Sequence, residues 1–129
     1  MTYASVVYRE SVRLALMIAA LNTLEVKYGD VMNAYITAPS TEKFWRILSP
    51  GFGANAGKKA IIVSALYRLK FAGADFRSHL CLCMRSLGYL PCLADPDLCY
   101  KAEVQPGDGF EYYSYIICYV NDILVIHHE

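Results

Sequence analysis

FEYYSYIICY (Phe110–Tyr119), VND (Val120–Asp122) and ILVI (Ile123–Ile126) follow one another without a gap near the end of the sequence. The first and last segments are rich in Tyr, Ile and Val, which suit strands. The three residues between them are too few for a crossover, so the two strands must form a tight hairpin and pair antiparallel. QPGDG (Gln105–Gly109) is a turn ahead of this hairpin, and Leu98–Ala102 reads as the strand before that turn.

Further upstream, Arg9–Leu21 carries Leu14, Met17, Ile18 and Leu21 at helical spacing. Leu24–Gly29 is a short strand ending at Asp30. Ala38–Thr41 reads as a break and Lys43–Leu48 as a strand. The glycine-rich segment Gly51–Gly57 is a loop, and Ala60–Ser64 another strand. Ala74–Leu87 is a helix with Phe76, Leu80, Cys83 and Leu87 on one face, stopped by Gly88. Two helices and about six mostly antiparallel strands make an α+β chain.

The 129 residues fit one domain and are 56% hydrophobic, which excludes a disordered tail. Twelve Lys and Arg balance twelve Asp and Glu, which excludes a strongly basic nucleic-acid packaging protein. The balance hides a division: residues 1–70 hold nine basic and four acidic side chains, residues 71–129 three and eight. Such halves suit an anionic ligand on one side and a metal on the other, or two complementary faces. The longest apolar run, Leu14–Leu21, has eight residues. A bilayer-spanning helix needs roughly 20, so neither membrane insertion nor a signal peptide is expected. Five cysteines at 81, 83, 92, 99 and 118 have neither zinc-site spacing nor an even count. They read as reduced thiols of an intracellular, cytoplasmic protein that is not secreted.

Asn121-Asp122 at a hairpin tip is ordinary turn chemistry when taken alone. Asp30 gives it a second meaning. An acid at a strand end, an aromatic at Tyr35 and an acidic hairpin tip about 90 residues later could gather carboxylates from separate strands. Two Mg²⁺ ions about 3.5–4 Å apart need such a cluster to activate a hydroxyl and stabilise a leaving pyrophosphate.

Five ordered segments carry a resemblance. GDVMNAY (from Gly29) is similar to D-V-x-x-A-F/Y. FWRILSPGFG (from Phe44) is similar to an aromatic-x-x-x-x-Pro-x-Gly-Phe stretch. SALYRLKFAGADFRSHL (from Ser64) is similar to A-L-Y-G-L-K-x-A-x-x-x-aromatic-x-x-x-L. LGYLPCLADPDLCYK (from Leu87) and YVNDILVIHH (from Tyr119) are similar to L-G-F/Y…D-x-x-L-aromatic and Y-V-D-D-I-L-V/I. Together they resemble the reverse transcriptase of copia-type long-terminal-repeat retrotransposons.

The resemblance implies a partial polymerase palm: an antiparallel sheet with two helices packed on one face. It implies one reverse transcriptase domain over residues 1–129, truncated at both ends, without complete fingers, thumb or RNase H. The family's activity is RNA-directed DNA synthesis by two-metal nucleotidyl transfer with Mg²⁺ or Mn²⁺ on primer–template and dNTPs. By motif position Asp30, Asn121 and Asp122 would be the catalytic positions, with Asp30 and Asp122 as metal ligands. Tyr35, Tyr67 and Lys70 would contact the nucleotide, Tyr35 as a gate against the ribose 2′-hydroxyl. Tyr35 as plain core and Lys70 as a solvated charge at a helix start remain alternatives, and Lys58 and Lys59 read as a solvated loop pair.

Two departures matter. Asn121 stands where the motif has its first hairpin acid, removing one negative charge from a site for two divalent ions. Arg68 stands where the motif has glycine. Both, with the truncations, imply weakened metal binding, weak or absent primer–template binding and a catalytically dead chain. The alternatives are a non-catalytic transposon remnant or a domesticated fragment that binds nucleic acid or protein.

Overall fold

The computed structural model describes residues 5–128. They form a mixed α/β structure of antiparallel sheets and a few helices. The elements in chain order are α1 (Arg9–Leu21), β1 (Glu25–Asp30), α2 (Ala34–Thr37), β2 (Pro39–Ile47), a 3₁₀ helix (Pro50–Asn55), β3 (Lys59–Ser64), α3 (Ala72–Ser86), β4 (Leu90–Pro91), β5 (Leu98–Val104), β6 (Glu111–Tyr119) and β7 (Asp122–His127). The chain divides into two compact units, one of residues 33–79 and one of residues 5–32 with 80 onward. Among the described residues no helix is long and apolar enough to cross a membrane.

The larger unit is built on a five-stranded antiparallel sheet in the order β1-β7-β6-β5-β4. The hairpin read from the sequence is its centre, with Tyr119 opposite Asp122 and Tyr115 opposite Ile126. Strand β6 is apolar at successive positions, so neither of its faces can be left to water. Ile117 and Ile126 cluster with Val7, Ala15 and Ala19, joined by Leu98, Tyr115 and Leu124. Ile116 and Cys118 cluster with Cys99 and Met84, joined by Leu80, Ile123 and Val125. These two sets alternate along the strands. Helix α1 therefore covers one face of the sheet, and the last turns of α3 cover the other. The expectation of two helices on one face is corrected by this alternation.

The contact face of α1 also differs from the leucine stripe. Ala15 and Ala19 are buried, whereas Leu14, Met17 and Leu21 are more than half exposed. Small side chains let the helix backbone come close to the sheet, and the larger ones flank that contact. On α3 the buried position near the end is Met84, not Leu87, which is exposed. The helix stops as the sequence indicates. Gly88 sits at φ +88°, its N–H bonds to the Arg85 carbonyl, and the Tyr89 N–H bonds to the Met84 carbonyl. That is a Schellman C-cap, whose left-handed residue is best filled by glycine.

The smaller unit holds the two-stranded antiparallel pair of β2 and β3, with Phe44 opposite Ile62 and an irregularity between Pro39 and Phe44. Strand β2 begins at Pro39, inside the segment read as a break. Proline is tolerated there because β2 is an edge strand and starts with that residue. Asp75, in the first turn of α3, is buried. It accepts hydrogen bonds from the Thr41 backbone N–H (3.2 Å) and hydroxyl (2.7 Å).

Candidate functional site

The alternation of β1 and the register of β7 assemble the site. Asp30, the last residue of β1, pairs with Asp122, the first residue of β7. Direct partners in an antiparallel pair have Cα atoms roughly 4.5–5.5 Å apart and project to the same face. Two acids distant in sequence thus meet at one sheet end. On β7, Asp122 shares its face with Leu124 and Ile126, which pack toward α1. The acids are the open end of that face.

Asn121 joins them from the hairpin tip. Its side-chain amide donates to Asp30 Oδ1 at 2.5 Å. A carboxylate can only accept, so the amide turns its nitrogen rather than its carbonyl oxygen toward Asp30. The Asn121 backbone carbonyl accepts the Val31 N–H at 2.9 Å, which carries the ladder one step past Asp30. On the other acid, the Tyr28 hydroxyl donates to Asp122 Oδ1 at 2.7 Å. That bond and the Asp122 charge, aided by Asp30, raise the Tyr28 pKa above its ordinary 10.0, because ionising the phenol would place an anion beside two carboxylates.

The turn is strained. Tyr119 pairs with Asp122, leaving Val120 and Asn121 as a two-residue loop. Val120 lies at φ +57° and Asn121 is not in the positive-φ region. A positive φ at the first loop position alone is the type II′ pattern, which favours glycine there. A β-branched residue in that conformation is a true outlier. Such strain, of order 1–3 kcal/mol, tends to collect at functional positions.

The donor set does not fit two divalent ions. It offers two carboxylates and one amide whose nitrogen faces Asp30. Among the described residues no group of three or more His, Cys, Asp or Glu side chains could hold a metal. The buried acids lie elsewhere and serve the fold. Besides Asp75, Asp95 accepts the backbone N–H of Tyr8 (2.8 Å) and of Asp97 (3.2 Å), and Asp97 accepts the Ser5 hydroxyl at 2.5 Å.

Tyr35, Tyr67 and Lys70 belong to the smaller unit. Tyr35 is half-buried, with its ring centroid 4.6 Å from that of Tyr67 and 5.9 Å from that of Phe76. Tyr67 is exposed. Lys70 is exposed, its Nζ 5.3 Å from the centre of the Phe71 ring. Arg68, between them, has φ +73°. The exposed Lys59 lies 5.0 Å over the Trp45 ring, and Lys58 bonds Asn55 at 2.9 Å.

Sequence reading passed over Tyr28. Its signal was the spacing: two residues before Asp30 on a strand, it must share that acid's face. Comparison of the chain with protein-family models, with curated proteins and with solved structures found no match.

Proposed function

We propose that this chain is a palm segment of a copia-type reverse transcriptase, RNA-directed DNA polymerase by ancestry, whose own catalysis has been lost at Asn121. The observation that carries the reading is the pairing of Asp30 with Asp122. The motif resemblance requires acids about 90 residues apart to share a metal site, and nothing in the local turn chemistry of Asn121-Asp122 requires them to meet.

Two backbone facts support it. Arg68 stands where the A-L-Y-G-L-K motif has glycine, and its backbone keeps a positive φ of 73°, the conformation glycine serves best. Val120 strains the tip that presents the hairpin residues.

Mg²⁺ in the ancestral site would polarise a primer hydroxyl and neutralise a triphosphate. Here Asn121 supplies a neutral amide already bonded to Asp30. With only two carboxylates, the site does not hold a pair of divalent ions. Tyr35 and Tyr67 form an aromatic contact that suits the packing of a sugar or base, and Lys70 is an exposed cation of the same unit. Primer–template and dNTPs are the ancestral partners.

The test is primer extension by the purified chain with a DNA-primed RNA template, all four dNTPs and either Mg²⁺ or Mn²⁺. No template-dependent incorporation is expected. Incorporation that depends on template and is abolished by Asp30→Ala would overturn the loss of catalysis.

A further inference from the structure

We infer that Tyr28, Asp30, Asn121 and Asp122 form a metal-independent clasp that fastens the tip of the β6–β7 hairpin to the end of β1. Three contacts compose it: the Asn121 amide on Asp30, the Tyr28 hydroxyl on Asp122 and the Val31 N–H on the Asn121 carbonyl. In each side-chain contact a neutral donor meets one carboxylate oxygen. An acid at position 121 would set three carboxylates together, and like charges facing each other across a strand pair are destabilising. A cation would then be needed to hold the tip. With asparagine the same tip is held by charge-assisted hydrogen bonds.

The β1 edge makes the clasp consequential. Strand β1 pairs only with β7 and is exposed along nearly its whole length. It has little buried surface of its own to fix its far end. The clasp supplies that fixation at the Asp30–Asp122 end, while Leu24 anchors the other end in the α1 cluster.

The inference rests on the palm reading only in treating Asn121 as the successor of an acid; the contacts themselves do not depend on ancestry. Thermal unfolding of the whole chain tests it. In EDTA, Asn121→Asp is expected to melt about 2–6 °C below the parent, and Asn121→Ala to fall as well, since it removes the donor without adding charge. The exchange Asp30→Asn with Asn121→Asp keeps net charge and reverses donor and acceptor, so it is expected to recover most of the loss in EDTA. The parent is expected to melt at the same temperature in EDTA and in Mg²⁺. Parental stability of both single variants in EDTA, failure of the exchange to recover any loss, or stabilisation of the parent by Mg²⁺ would each overturn the clasp. Recovery by the exchange with no effect of Mg²⁺ on Asn121→Asp would uphold the clasp and count against the palm reading alone.

Discussion

The side chains of Asn121 and Asp30, 91 positions apart, are joined by a hydrogen bond of 2.5 Å across the end of the β1–β7 ladder. The amide nitrogen is thereby turned toward one carboxylate, and the Tyr28 hydroxyl toward the other. The strain, donor set and exposure around that bond each have measurable consequences.

Val120→Gly is expected to stabilise the chain. The substitution releases a β-branched residue from φ +57°, offset in part by the greater freedom of glycine in the unfolded chain. The net gain should be about 0.5–2 kcal/mol, read as a higher denaturant midpoint with an unchanged slope. An unchanged or lower midpoint would show that the turn is not strained.

Arg68→Gly should act in the same direction for the same reason. Arg68 is exposed and at φ +73°, so little packing is lost. A gain of about 0.5–1 kcal/mol is expected. A loss of more than that would mean that the guanidinium makes a stabilising contact that outweighs the backbone cost.

Met84→Ala and Leu87→Ala separate the two readings of the α3 face. Met84 is 7% exposed and lies in the cluster with Cys99, Ile116 and Cys118, so truncation should cost about 2–4 kcal/mol. Leu87 is 59% exposed, and its truncation should stay within about 0.5 kcal/mol. The reverse order would restore the periodicity reading.

How the sequence was legible follows from these cases. Arg9–Leu21 was found to the residue because its helical pattern is long, and Gly88 marked the end of α3 because a Schellman cap needs a left-handed residue. The β6–β7 hairpin was legible because its joint is too short for anything else. The faces were harder. Hydrophobicity alone favours the Leu14–Met17–Leu21 stripe, but close approach to a sheet favours Ala15 and Ala19. A strand apolar at consecutive positions signals burial on both sides, and the expectation of two helices on one face overlooked that signal in β6. Pro39 looked like a break because the edge position that tolerates it is a property of the sheet. Of the site, Asp30, Asn121 and Asp122 were legible as motif positions. Their hydrogen bonds and the part of Tyr28 depend on register, which the motifs do not carry.

Alkaline pH should weaken the fold. The Tyr115 pKa is raised above 10.0, chiefly by burial and then by the neighbouring Tyr113. Tyr28 is raised by its bond to Asp122. A folded-state pKa above the unfolded value stabilises fully below the unfolded pKa and is lost as pH rises through the folded one. Stability should therefore be level with respect to these groups below pH 10.0 and decline above it. In ¹³C-tyrosine spectra the Tyr28 signal should titrate above 10.0 and move down in Asp122→Asn. A Tyr28 titration unaffected by that substitution would contradict the contact.

Titration of Mn²⁺ into the parent and into Asn121→Asp, followed by calorimetry and by the loss of the free-ion paramagnetic signal, tests the central claim most directly. A further unit charge about 4 Å from a divalent ion contributes roughly 2 kcal/mol even at the dielectric of water. If the hairpin end is a palm site short of one acid, Asn121→Asp should bind Mn²⁺ at least about tenfold more tightly than the parent, and Asp30→Ala should abolish the gain. Equal affinities in the two proteins would contradict it, and Asn121 would then be a turn residue with no metal site in its ancestry.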